Sequence, residues 1–119
     1  MSDGLANRRC RVGVLISGSG SNLQSFIDRS LSGDIDVEVV GVVSNRAGAY
    51  GLQRAETAGI PTACIPHADF DDRESFDRAV ATVLDEYAPD LIVLAGFMRI
   101  LSPWFVRRYE GRIVNIHPA

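Results

Sequence analysis

Arg11-Val12-Gly13-Val14-Leu15-Ile16 runs straight into Ser17-Gly18-Ser19-Gly20-Ser21-Asn22, and then into Leu23, Phe26 and Ile27 at helical spacing. A β-branched run apolar on both faces, a glycine-rich turn and a helix opening at once form the first half of a strand-helix-strand unit. Two glycines let the backbone turn tightly and come close to a ligand. The free amides and dipole at a helix start favour an anion there. The loop therefore predicts a phosphate site at Gly20, Ser21 and Asn22, with a plain connecting turn as the alternative.

The same unit recurs along the chain. Val37 to Ser44 reads as a second strand, Thr62 to Ile65 as a short third, Leu91 to Ala95 as a fourth and Arg112 to Ile116 as a fifth. Most are apolar on both faces and alternate with amphipathic stretches. That pattern predicts an α/β fold, an open, mainly parallel, Rossmann-like sheet with helices on both faces. Ser21 and Gln24 read as a capping box opening a helix with Leu23, Phe26, Ile27 and Leu31 inward, closed by Gly33. Asp71 and Glu74 read as the capping pair of a helix whose stripe is Phe76, Ala79, Val80, Val83, Leu84 and Tyr87, ended by Pro89. Ser102 and Pro103 supply a cap and a first-turn proline for a last short helix, stopped near Gly111.

With 119 residues and 46% hydrophobic content, the chain can bury one core and is too short for two ordinary domains. It divides into a flexible segment, residues 1–10, and one nucleotide- or phosphate-binding α/β domain, residues 11–119. A net charge of -3 argues against nucleic acid or an anionic membrane as partner. All 12 basic residues are arginine, which removes Schiff-base and P-loop lysine chemistry. Cys10 and Cys64 lack metal-ligand or CxxC spacing, so neither a disulfide nor a metal is expected. Without a signal-peptide core or a membrane-length apolar run, a cytoplasmic protein is expected. A dimerising face is not separable by pattern from a helix-covered one, and a homodimer stays open.

An open α/β sheet takes ligands at the carboxyl ends of its strands. Those ends are Ser17 to Asn22, Asn45-Arg46, Gly96 to Leu101 and Asn115 to His117, where nearly all the unusual polar residues fall. A dinucleotide fold would need glycine where Leu23 stands and an acid where Asn45 and Arg46 stand, so the loop suits a monophosphate better. In the fourth-strand segment, Met98, Ile100 and Leu101 could wall a flat heteroaromatic ring, with Arg99 available to an acidic group. A hydrophobic connection whose arginine faces water is the alternative. Arg73, in the first turn of the Phe76 helix, opposes the helix dipole and calls for an anionic partner, unless it is simply a surface arginine. His67 shows no partner and reads as a solvated loop histidine. His117 is different: it shares a strand face with Asn115, so amide and imidazole can address one reacting atom, and Pro118 biases it to extended backbone.

Taken together, Leu15 to Gln24, Val43 to Arg46, Leu94 to Pro103 and Val114 to Pro118 resemble the folate-dependent formyltransferase family, in unbroken order over residues 11 to 119. The resemblance is strongest to the branch that acts on glycinamide ribonucleotide in de novo purine biosynthesis. It implies a formyl transfer from 10-formyltetrahydrofolate, as cosubstrate, to the amine of that ribonucleotide, with no metal. On this resemblance Gly20, Ser21 and Asn22 hold the ribonucleotide phosphate. Arg73, Met98, Arg99, Ile100 and Leu101 contact the folate, Asn115 orients the formyl group and His117 donates the proton. Methionyl-tRNA formyltransferase, a formyltetrahydrofolate hydrolase, or a nucleotide-phosphate binding module without turnover are the alternatives. The net charge of -3 argues against the tRNA enzyme, and on the resemblance Gly18-Ser19-Gly20-Ser21-Asn22 with His117-Pro118 favours the ribonucleotide branch over the first two.

The family pattern continues past Ala119 with further strands, part of the folate pocket and an aspartate that supports the imidazolium. The resemblance thus implies a fragment of a longer protein. An unsupported histidine titrates near its reference value of roughly 6.5 and is mostly neutral at pH 7. Alone, the 119 residues are expected to be nearly inactive.

Overall fold

The structure, a computed structural model, describes residues 9–116. Most of the segment expected to be flexible, together with His117, Pro118 and Ala119, lies outside the described residues. Five strands form one sheet: β1 (Cys10–Ile16), β2 (Val37–Ser44), β3 (Thr62–Cys64), β4 (Leu91–Ala95) and β5 (Ile113–Ile116). Their spatial order is β3-β2-β1-β4-β5, and every pairing is parallel. The helices are α1 (Ser21–Ser32), α2 (Tyr50–Thr57), α3 (Arg73–Tyr87) and α4 (Pro103–Arg108), with a 3-10 turn at His67–Asp69.

Side chains that alternate along the central strands build two cores, one on each side of the sheet. Val12, Val14, Ile16, Val42, Val93 and Ala95 face α1 and α2 and meet Leu23, Ile27 and Ala55. Leu15, Val43 and Ile92 face the other way, onto Phe76, Val80 and Leu84 of α3 and Phe105 of α4. Full burial of each such side chain stabilises the fold by about 1.5–3 kcal/mol. Sheet and α3 come close at Gly41, where an added Cβ would stand only 2.2 Å from ring atoms of Tyr87. Between Val12 and Gly13 the register against β2 slips by one residue.

Three local expectations are corrected. The start of α1 has no capping box: Gly20 occupies the cap at φ 77° with no side-chain bond, and Ser21 is already helical. Leu31 is 73% exposed, because the inward stripe runs Leu23, Ile27, Ser30 and ends on a polar contact. There the Ser30 hydroxyl donates to the Val37 carbonyl at 2.7 Å. The cap of α3 is Asp72, not Asp71: its carboxylate accepts from the Ser75 amide at 2.7 Å, and Glu74 pairs instead with Arg78.

Helix α2 was not predicted, since it has no capping side chain and buries only Gly51 and Ala55. Tertiary contact holds it: the Gly51 amide donates to the Gly18 carbonyl at 3.1 Å. Gly51 also brings α2 so near the start of α1 that a Cβ on Gly20 would stand 2.5 Å from the Gly51 Cα.

Candidate functional site

All four strand ends singled out in the sequence lie on one edge of the parallel sheet, the edge from which such sheets bind ligands. β1 ends in the glycine loop, and the first intrahelical bond of α1 runs from the Gln24 amide to the Gly20 carbonyl at 2.8 Å. The amides of Ser21, Asn22 and Leu23 therefore precede the helical ladder and point out of the helix start. A cleft of about 100 Å³ opens there, lined by Gly18, Ser19, Gly20, Ser21 and Asn22 and, across it, by Ala95 and Gly96 of the β4 end. That is roughly three times the share of liquid volume of one water, room for a group of a few heavy atoms. The geometry is that of an anion cradle, with backbone donors and the positive end of a helix.

Arg54 braces this loop from α2. Its Nε donates to the Ser19 carbonyl at 2.7 Å, and its guanidinium lies 4.9 Å from the centre of the Tyr50 ring. A larger cleft of about 440 Å³ adjoins, between the β1 and β2 ends, lined by Ser17, Ser19, Arg46 and Tyr50 among others.

Past β4 the chain turns at Gly96, with φ 73°, and holds Met98 and Ile100 out at 75% and 72% exposure. Two large apolar side chains are thus offered to solvent just after Gly96, which lines the cleft. Leu101 turns back and packs on the α3 side of the core. Arg99 does not simply face water: its guanidinium lies 5.6 Å from the centre of the Phe76 ring, and its Nε is buried without a hydrogen-bond partner. Arg73, exposed, sits one turn before Phe76 on α3 and makes no ion pair or hydrogen bond among the described residues. Arg99 thus sits on the Phe76 ring, and Arg73 lies on that residue's helix one turn before it.

Asn115 is exposed on β5, in register with Leu94 and one residue from the Ile116-Ala95 pair that leads to the cleft. It shares a strand face with Ile113, so its amide is carried on the α3 side of the sheet. His117 lies outside the described residues. Among those residues no group of three metal-binding side chains occurs.

One set of polar residues was not assigned from the sequence. Ser17, 1% exposed, donates its hydroxyl to Asn45 Oδ1 at 2.6 Å and accepts from the Met98 amide at 2.8 Å. Asn45, 3% exposed, places Nδ2 3.1 Å from His67 Nδ1. His67 is therefore partnered and half-buried, edge-on to Phe76 with ring centres 6.5 Å apart, rather than solvated. The available signal was positional: Ser17 and Asn45 are the polar residues that end two otherwise apolar strands. Cys64, by contrast, is an exposed residue whose thiol is pushed up by partial desolvation and by Asp69, which favours its protonated form.

The sequence pattern of the formyl transferase family matches residues 10–119. Phosphoribosylglycinamide formyltransferase of Escherichia coli is 55% identical over 106 residues, covering 89% of this chain and 50% of that protein. The human trifunctional purine biosynthetic protein adenosine-3 is 47% identical over 112 residues, 94% of this chain and 11% of that protein. Among solved structures, the phosphoribosylglycinamide formyltransferase of Coxiella burnetii superposes with a TM-score of 0.86 at 49% identity, covering 93% of this chain and 52% of that one. The chain spans about half the length of the bacterial relatives it matches.

Proposed function

The chain belongs to the formyl transferase family, and on that premise we propose that it carries the phosphate-binding and formyl-handling half of an enzyme that formylates glycinamide ribonucleotide. The formyl donor in this reading is 10-formyltetrahydrofolate and the setting is de novo purine biosynthesis. The observation that carries the reading is the cleft where the α1 start faces Ala95 and Gly96, with the Met98 to Leu101 segment and Asn115 along the same edge. The similarity to phosphoribosylglycinamide formyltransferases supports the choice of acceptor.

In this proposal the phosphate rests on the amides at Gly20, Ser21 and Asn22, which fixes the acceptor amine at the β4 and β5 ends. The folate ring lies against Met98, Ile100 and Leu101, and its acidic tail meets Arg73 and Arg99. The amine attacks the formyl carbon, and the developing oxyanion is met by the Asn115 amide and a protonated His117. The proton then passes from His117 to the departing folate nitrogen as the carbon-nitrogen bond breaks, and the proton that the acceptor nitrogen sheds on becoming an amide restores the imidazolium. Positioning and charge stabilisation suffice, with no covalent enzyme intermediate.

The test is formyl transfer by the polypeptide that includes this chain and the region its relatives extend into. Glycinamide ribonucleotide should accept the formyl group. His117→Ala should lower kcat by about 10²–10⁴-fold with phosphate binding retained. Full activity in that variant would exclude His117 as the proton donor, and transfer to water or to methionyl-tRNA instead would overturn the acceptor.

A further inference from the structure

Ser17, Asn45 and His67 form a hydrogen-bonded chain that, with the Met98 amide, links the carboxyl ends of β4, β1, β2 and β3. Ser17 Oγ has one hydrogen, and it points at Asn45 Oδ1 at 2.6 Å. Its lone pairs are what receive the Met98 amide at 2.8 Å. With Oδ1 committed to Ser17, the other end of the Asn45 amide is Nδ2, a donor only, and it faces His67 Nδ1 at 3.1 Å. In the tautomer that carries its proton on Nε2, His67 Nδ1 accepts from Nδ2; Nδ1 also lies 3.3 Å from the Asn45 carbonyl oxygen, so the ring meets Asn45 at both its side-chain amide and its backbone.

Both middle members are buried, so the chain cannot be repaired by water at low cost. If His67 ceases to accept, Asn45 Nδ2 becomes a buried donor without a partner. The amide then gains by rotating, which takes the acceptor from the Ser17 hydroxyl and turns a donor toward Oγ, so that the oxygen holding the Met98 amide must reorient. A second contact links the same ends: His67 meets the Phe76 ring edge-on, and Arg99, next to Met98, lies over that ring.

We propose that His67 is a positioning residue that acts through Asn45 and Ser17 to fix the Met98 amide, and with it the apolar segment Gly96 to Leu101 offered to the folate. The folate part of this statement rests on the function proposed above, while the relay itself does not. His67 touches no reacting atom. It sets where the ring-binding segment stands before any ligand arrives.

Amide hydrogen exchange of the 119-residue chain, read residue by residue by NMR, tests the relay directly. His67→Leu should raise exchange at Met98 by about tenfold, the effect of losing one buried hydrogen bond, with the β4 amides unchanged within about twofold as proof of folding. Ser17→Ala, which removes the acceptor itself, should do at least as much. His67→Asn, which carries an oxygen where Nδ1 stood, should restore protection at Met98. No change at Met98 in His67→Leu, or His67→Asn behaving as His67→Leu, would overturn the proposal.

In the formyl-transfer assay of the longer polypeptide, His67→Leu should raise KM for the formyl folate by about tenfold. KM for glycinamide ribonucleotide and kcat should stay within about twofold. A fall in kcat at constant folate KM would also overturn it. If the unsubstituted protein neither binds folate nor transfers a formyl group, the folate reading falls, and the exchange comparison still decides the relay.

Discussion

Replacing Gly20 by alanine separates two costs that a glycine at a helix start can hide. The first is conformational: φ is 77°, a left-handed geometry that costs an L-residue about 1–2 kcal/mol. The second is steric. The new Cβ would stand 2.5 Å from the Gly51 Cα and 3.2 Å from Arg54 Cδ, and the nearer neighbour is backbone, which cannot swing aside. Relieving it means moving the start of α1 away from α2, an overpacking cost of about 1–3 kcal/mol. Together the substitution should remove about 2–5 kcal/mol from a domain whose whole stability is typically about 5–15 kcal/mol. Gly33→Ala is the control: φ is 85°, yet nothing lies within 4 Å of the added Cβ, so only the first cost of about 1–2 kcal/mol applies. Urea unfolding measures both. The single tryptophan, Trp104, is a suitable probe, flanked by Arg78 at 4.4 Å and Arg108 at 5.8 Å from its ring. If Gly20→Ala moves the midpoint no further than Gly33→Ala at equal slope, the close approach of the two helices is not what requires glycine there.

Other consequences are testable in the same protein. Burial and the bond from its hydroxyl to Asp85 push the Tyr109 phenol up to about 12, so the folded state keeps a proton that the unfolded chain releases near 10. Stability should therefore fall as pH rises between these values, and Tyr109→Phe should flatten that limb in urea midpoints taken across the range. The Ser75 amide holds the Asp72 carboxyl below its usual value, so the stability it contributes is present at neutral pH and lost as pH falls through the lowered value. Asp72→Asn should remove that part of the acid dependence in circular dichroism melts. Asn115→Ala should cut the kcat of the proposed transfer by about 10²–10³-fold, as loss of one oxyanion donor does, and leave ribonucleotide affinity nearly intact.

Strands were legible in the sequence because burial on both faces leaves continuous β-branched runs. β2 and β4 have the expected bounds, and the others differ by one residue at an end. Helix α2 was illegible because it is held by a glycine contact to a loop 30 residues earlier in the chain and has little apolar pattern of its own. The capping errors at Ser21 and Asp71 have a related cause: each motif admits a start one residue away, and the fold selected Gly20 and Asp72. At the site, Gly20, Ser21, Asn22 and Met98 were visible as strand-end residues with unusual chemistry. The Ser17-Asn45-His67 contacts were not, since they join three strand ends whose proximity depends on the order of strands in the sheet. Arg99 was half legible, its place in the loop clear and its seat on Phe76 set only by how α3 packs.

The placement of β1 between β2 and β4 also bears on how the chain is made. β1 joins its second neighbour only when a partner far along the chain arrives, as the Arg11 amide does with the Asp90 carboxylate across 79 positions. Synthesis at about 5–20 residues per second puts roughly 4–16 s between the two. In that interval β1, β2 and β3 can pair and begin to pack on α1 and α2, a core that Val93 and Ala95 of β4 complete only later. The opposite face, with Leu15 and Val43 on it, receives α3 just before β4 is made and α4 only after it. A nascent chain of this order carries a half-finished sheet for seconds, with β1 left open along the side that β4 will take.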